Sequence, residues 1–384
     1  ECCPRPWSRR TLRTRVIHAL SPVVVSPAEV LARFQDQNDV SVQRAMLLLA
    51  GELIGDPAES FAVRAGVGRR ELAEETVEQL VGLYQAHPDP GIHSAAEWLL
   101  RRAGREERVL RAARDLASAR PDNDRQWYIN RQGHTMVVIP GPAQFLMGEA
   151  AGGGTSSPPG RPTHYQRIPR SFCIAATETT VGQFQRFLDD NPPTGSGPGV
   201  QGGVSPAAPQ VSVTWYEAAA YCNWLSRSEG LPADECCYLP NADGGWAAGM
   251  RLADDYLDRR GYRLPTEAEW EFACRAGSAE AFSFGADPSF LEHYAAYAKN
   301  AAGRPSPVGT RKPNDFGLFD MHGNVAEWCQ DRHQPDSAGA SEERVIRGGA
   351  FLDPAERLVS AAREKNRPDE RSARCGFRIA RGYP

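Results

Sequence analysis

Three blocks of this chain hold the side chains best placed to do chemistry. The first is Gly317-Leu318-Phe319-Asp320-Met321-His322-Gly323-Asn324-Val325-Ala326-Glu327-Trp328. The second is Arg344-Val345-Ile346-Arg347-Gly348-Gly349-Ala350-Phe351, and the third Cys375-Gly376-Phe377-Arg378-Ile379-Ala380. His322 and His333 flank the segment from Gly323 to Trp328 and read as structural. The nine cysteines are scattered, with Cys2-Cys3 and Cys236-Cys237 adjacent. Adjacent cysteines seldom bridge each other, because so short a loop strains the disulfide. No CxxC supports a zinc ribbon or a thioredoxin-like motif. The cysteines read as reduced, buried thiols of a cytoplasmic protein. His87 and His93 lack the spacing of metal ligands on one helix face. No nucleophile elbow, phosphate-binding loop or dinucleotide fingerprint occurs.

The bulk numbers narrow the field. The chain has 384 residues, 41% hydrophobic and 24% charged, with a net charge of -4. That balance offers no basic field for nucleic acid and no polybasic run for an anionic membrane. No apolar run approaches the roughly eighteen residues a membrane-spanning helix needs. The opening Glu1-Cys2-Cys3-Pro4 lacks an initiator Met, so the chain reads as a piece of a longer polypeptide.

The elements that must position these blocks fall into two grammars. Residues 1–118 read as helices, over Leu12–Leu20, from Ser26-Pro27 onward, and over Ser41–Leu53, Arg69–Gln85, His93–Arg102 and Arg105–Leu116. Asp39-Val40-Ser41-Val42-Gln43-Arg44-Ala45 is echoed by Asp89-Pro90-Gly91-Ile92-His93-Ser94-Ala95. The period is close to that of HEAT-type helix pairs, which bury their apolar faces only by stacking. A small helical bundle fits the pattern equally. Residues 119–134 read as a linker. From 135 to 384 the grammar is mixed. Thr135–Gly141 and Ala143–Gly148 suggest a β-hairpin. Phe172–Ala176 reads as a strand, and Thr180–Leu188, Tyr216–Ser226 and Thr266–Cys274 as helices. Thr266 with Glu269 makes a capping box. Gly152–Gly160 and Asn191–Ala208 are loops by composition.

Trp215-Tyr216-Glu217-Ala218-Ala219-Ala220-Tyr221-Cys222-Asn223-Trp224-Leu225 and Tyr262-Arg263-Leu264-Pro265-Thr266-Glu267-Ala268-Glu269-Trp270-Glu271 complete an ordered set with the three blocks above. From Met136 to Arg381 the chain resembles the formylglycine-generating enzyme (sulfatase-modifying factor) family. The resemblance implies an α+β fold of the C-type-lectin type with long loops, preceded here by an all-α region. The whole chain also resembles bacterial multidomain proteins in which a Ser/Thr kinase precedes helical repeats and such a module.

What the resemblance implies about chemistry is mixed. Active members oxidise a substrate cysteine at a copper ion held by two thiolates, the first a few residues beyond Gly348-Gly349. Asp353 stands there, and no cysteine lies between Cys329 and Cys375. Carboxylate does not replace thiolate for soft Cu(I), so copper is not expected. The histidine pattern of the related iron-dependent sulfoxide-forming branch is absent too. Calcium is the metal implied, with Asn324 and Glu327 as side-chain ligands and the Val325 and Ala326 carbonyls beside them. The family's other calcium loop falls between Asn300 and Asn314, with no acid in between. Arg263, Arg347 and Arg378 read as donors to loop carbonyls and carboxylates, and Trp215, Trp224, Trp270 and Trp328 as apolar anchors whose N–H groups need partners. The charge-rich stretch from Asp353 to Arg374 reads as a ligand face, with Asp353, Glu356, Arg363, Lys365, Asn366, Arg367 and Arg371 facing a protein partner or a small polar ligand. The expectation is a non-catalytic binding or regulatory module. The alternative is an oxidoreductase acting on a protein cysteine.

Overall fold

The computed structural model describes residues 9–19, 26–54, 72–118, 124–149, 162–192, 204–333 and 342–383. The loop over Gly152–Gly160, most of the Asn191–Ala208 loop, and the 119–123 boundary lie outside them.

The described residues before 119 are mostly helical, as their periodicity implies. The helices are α1 (Arg9–Ala19), α2 (Pro27–Ala32), α3 (Val40–Ile54), α4 (Glu74–Ala86), α5 (Pro90–Arg102) and α6 (Glu106–Ser118). Ser26 and Glu29 form a capping box on α2, supplying oxygens to backbone N–H groups that the first turn leaves unpaired. The echoed aspartates do the same work. Asp89 caps α5 by accepting from Ile92 N, and Asp39 accepts from Ser41 N and Val42 N at the start of α3. These two helices pack on each other closely. A Cβ at Gly51 would stand 2.1 Å from the Trp98 ring, and Arg44 of α3 holds the Asp89 carboxylate.

The second region is built on two sheets. Strands β1 (Trp127–Ile129), β2 (Thr135–Ile139), β5 (Phe172–Ala175), β13 (Ala380–Gly382) and β8 (Tyr262–Arg263) lie side by side in the order β1-β2-β5-β13-β8. The second sheet runs β11 (Arg363–Asn366), β10 (Arg344–Arg347), β9 (Ala326–Arg332), β12 (Cys375–Gly376). Two-stranded ribbons pair β3 (Ala143–Met147) with β4 (His164–Ile168), and β6 (Tyr238–Leu239) with β7 (Arg251–Leu252). Helices α7 (Val181–Asp190), α8 (Trp215–Ser228) and α9 (Glu267–Arg275) each start on a threonine capping box.

Two sequence expectations need correction. The β2–β3 hairpin does not form. β2 pairs instead with β1 and β5, and β3 with β4, because the Pro140-Gly141-Pro142 turn leads the chain from one sheet into another rather than folding it back. Part of the expected linker is also structure, since Trp127–Ile129 is an edge strand with Trp127 and Ile129 buried.

One apolar core runs from Leu47, Leu80 and Leu99 of the helices through Trp127 to Ile174, Trp270 and Phe319. A second gathers Phe184, Tyr221, Trp224, Trp328 and Phe377. Among the described residues no helix is long and apolar enough to cross a membrane.

Candidate functional site

The three blocks converge on the β9–β10–β12 sheet and on α9 behind it. β9 pairs antiparallel with β10 and parallel with β12, so Glu327 lies opposite both Arg347 and Gly376. Gly348 (φ 95°) and Gly349 (φ 68°) leave β10 in left-handed conformations. A Cβ at Gly349 would meet the Arg357 carbonyl at 2.8 Å, so the turn admits only glycine. Asn324 is also left-handed, at φ 60°. Its main chain bridges Ala296 O and Phe351 N, and its Oδ1 accepts from Ser306 N. The asparagine thus stitches three loops together.

The arginines act as the sequence implies. Arg378 donates two 2.7 Å bonds to Glu327 and others to the carbonyls of Ala175, Ala176 and Phe319. Arg263 grips Glu269 with two bonds at 2.6 and 2.7 Å. Arg347 pairs with Glu271 and donates to the carbonyls of Ser360, Ala361 and Ala362. These guanidiniums are buried, and in a loop-rich fold they satisfy backbone that no ladder reaches. The tryptophans find their partners too. Trp215 donates to Cys329 O, Trp328 to Val213 O, Trp224 to Asp190 and Trp270 to Glu327.

That arrangement bears on calcium. Both Glu327 oxygens accept protein donors, from Arg378 and from Trp270, and the Asn324 oxygen faces Ser306 N. A Ca²⁺ ion requires free oxygens and tolerates no guanidinium at its centre. In this geometry the two side chains do not fit it.

The expected ligand face divides in two. Asp353 is 3% exposed and turns inward. Its carboxylate accepts from Ala350 N at 2.8 Å, pairs with Arg374, and has Arg357 at 3.6 Å. Arg363 is buried on β11 in a two-bond pair with Glu267. Arg371 crosses to Glu217 in the first turn of α8. Facing solvent are Glu356, Lys365, which pairs with Glu343, and Arg367, which pairs with Asp369; Asn366 between them is half-buried and accepts from Arg367 N. Two residues apart, Arg363 and Lys365 share one face of β11, so the split follows from what covers that face: Glu267 seals Arg363, while Lys365, farther along the strand, meets solvent beside Glu343.

Sequence reading missed the counterions. Helix α9 offers Glu267, Glu269 and Glu271 to three arginines from separate elements. Three acids on one buried helix were the available signal.

No thiol in the described part of this site is poised for chemistry. The seven described cysteines are free and buried, and burial pushes Cys274 up to about 12. Cys274 lies 3.9 Å from His322, but His322 is committed to Leu358 O and Ser283, and burial holds it neutral, down to about 4.

Comparison with known proteins agrees with this architecture. Residues 126–383 match the model of the sulfatase-modifying factor enzyme 1-like domain. The formylglycine-generating enzyme of Streptomyces coelicolor is 30% identical over 64% of this chain and 88% of its own length. The inactive C-alpha-formylglycine-generating enzyme 2 of Bos taurus is 31% identical over 50% of this chain and 55% of that protein. A serine/threonine-protein kinase pkn1 of Chlamydia caviae is 29% identical over 45% of this chain but only 24% of its own. Treponema denticola variable protein 1 superposes with a TM-score of 0.55 at 28% identity, covering 65% of this chain and 95% of that one. The chain therefore belongs to the sulfatase-modifying factor enzyme 1-like family, whose members include both enzymes and a protein named inactive.

Proposed function

We propose that residues 126–383 are a non-catalytic binding or regulatory module. The observation that carries this reading is Asp353. Where the family resemblance puts the first thiolate, a buried carboxylate is tied to Arg374 and to Ala350 N. An oxygen already neutralised by a guanidinium offers nothing to Cu(I). Glu327, for its part, would have to leave Arg378 before calcium could use it. Similarity to a protein named inactive lends further support.

The binding surface in this reading is the exposed end of β11 and the turn before the strand, where Glu356, Lys365 and Arg367 stand in solvent on a frame fixed by buried ion pairs. Its partner is a protein or a small polar ligand. The helical half acts as connector, and a Ser/Thr kinase upstream in the same polypeptide fits the partial likeness to the Chlamydia kinase. The seven described thiols, all unbridged, fit a reducing compartment such as the cytoplasm.

The test is direct. The purified chain is loaded with copper and incubated in air with a sulfatase-type cysteine peptide, and the peptide is weighed by mass spectrometry. The peptide should stay unmodified. Formation of an aldehyde would restore the oxidoreductase alternative.

A further inference from the structure

The seam between the helical half and the family domain holds a polar cluster that the proposed binding surface does not use. His18 comes from α1, Glu52 from α3, and His293 from the 3-10 turn Pro288–His293. One ligand atom from each lies within 4.8 Å of the others. The rings are held in place. His18 stacks on Phe290 at 4.9 Å between centroids and lies 3.9 Å from His293. Imidazoles carry their nitrogen lone pairs at the ring edges, so the two rings can turn one lone pair each toward a cation held beside the Glu52 carboxylate. The Lys312 ammonium already sits where a cation would. It is 2.8 Å from Glu52 and 3.4 Å from His18 Nε2, with its side chain fully buried.

We propose that His18, Glu52 and His293 bind one divalent transition ion of the zinc class, which pins the helical half to the domain, and that Lys312 holds the carboxylate when no ion is bound. Two imidazoles and one carboxylate form a donor set for zinc, cobalt or iron rather than for calcium or magnesium. Bonds of about 2.0–2.2 Å to such an ion need donors somewhat closer than they now stand, which side-chain rotation supplies. The ammonium has somewhere to go, because the rings of Trp98 and Tyr294 each lie 5.6 Å from it and can take a cation on their faces. The His293 side chain is 30% exposed and gives the ion an entrance and water a coordination position. This inference stands apart from the role of Asp353 and β11.

The experiment titrates the metal-stripped full chain with Co²⁺, reads the visible d–d bands, and then displaces the cobalt with Zn²⁺. One equivalent should bind. His18→Gln and His293→Gln should each weaken binding by at least about tenfold. Lys312→Met removes the competing cation and should tighten binding at least about tenfold, with Zn²⁺ raising the melting temperature of that variant. Circular dichroism checks that each variant is folded. Absence of stoichiometric binding in both the unaltered chain and Lys312→Met would overturn the proposal. So would binding that His18→Gln and His293→Gln leave unchanged.

Discussion

The helical half and the family domain solve the same problem by opposite means. In the helices the backbone pairs with itself, and side chains are left to pack, as Val77, Leu80 and Tyr84 do on one face of α4. In the domain long stretches lack a ladder, so buried arginines and tryptophans bond the carbonyls instead. Arg378 alone serves Glu327 and three backbone oxygens. A fold poor in regular elements thus moves its hydrogen-bonding burden from backbone to side chain, and it becomes sensitive to polar substitution where the helices are sensitive to shape.

The largest expected effect tests that contrast. Arg378→Met keeps bulk but leaves Glu327 buried without its counterion, and breaking a buried pair this way costs about 3–5 kcal/mol. Urea denaturation should show the loss, with hydrogen exchange accelerating across β9 and β12. A loss below about 1 kcal/mol would mean that the domain does not depend on its buried ion pairs as argued.

The matching shape test in the helices is smaller. A Cβ at Gly51 would sit 2.1 Å from Trp98. Gly51→Ala should therefore cost about 1–3 kcal/mol by overpacking, even though alanine favours the helix. Exchange should quicken in α3 and α5 and leave the β9–β10 sheet unchanged.

The two modes were not equally legible in the sequence. Periodicity and caps are local signals, so α3, α5 and the Thr266–Glu269 box could be read directly. The arginines and tryptophans were recognisable as anchors by type, but their partners were not. Glu327 and Arg378 lie 51 positions apart, and Glu267 and Arg363 lie 96 apart. The β2–β3 hairpin failed because two strands next to each other in sequence belong to different sheets, which only the long-range pairing of β2 with β5 decides. The strand Trp127–Ile129 was too short to show a period of its own. The seam cluster draws on positions 18, 52, 293 and 312, and no spacing rule joins them.

Acid sharpens the comparison further. His93, packed between Tyr84 and Trp127, is pushed down to about 3 by burial, although its bond to Tyr84 O raises it. Such a histidine binds its proton more readily unfolded than folded, so its stabilising contribution is present above the ordinary value of 6.5 and is lost as pH falls toward 3. His134 and His322 in the domain behave alike, at about 3 and about 4. There, however, burial raises Asp320 and Asp331 to about 6. For those acids the sign is reversed, since they disfavour folding above 6 and the penalty lifts as pH falls from 6 toward 3.8. The opposing shifts partly cancel in the domain, while His93 acts uncompensated at about 1.4 kcal/mol per pH unit. Lowering the pH from 6.5 to 5 should lower amide protection factors, corrected for the intrinsic pH dependence of exchange, in α4 and α5 before the domain strands respond, and His93→Gln should flatten that difference.

The smallest expected effect, that of changing Lys365 and Arg367, is read against a buried neighbour on the same strand. Arg363 and Lys365 are two residues apart on β11, yet one is sealed against Glu267 and the other meets solvent beside Glu343. Arg363→Met should weaken the fold by about 3–5 kcal/mol, because it strands a buried glutamate. The double change Lys365→Glu, Arg367→Glu alters exposed pairs only and should move stability by no more than about 0.5 kcal/mol. If that surface binds a partner through charge, the double variant loses the interaction while its urea midpoint stays put. A fall in stability as large as that of Arg363→Met would mean instead that the exposed end of β11 is part of the frame, and that the ligand surface must be sought elsewhere.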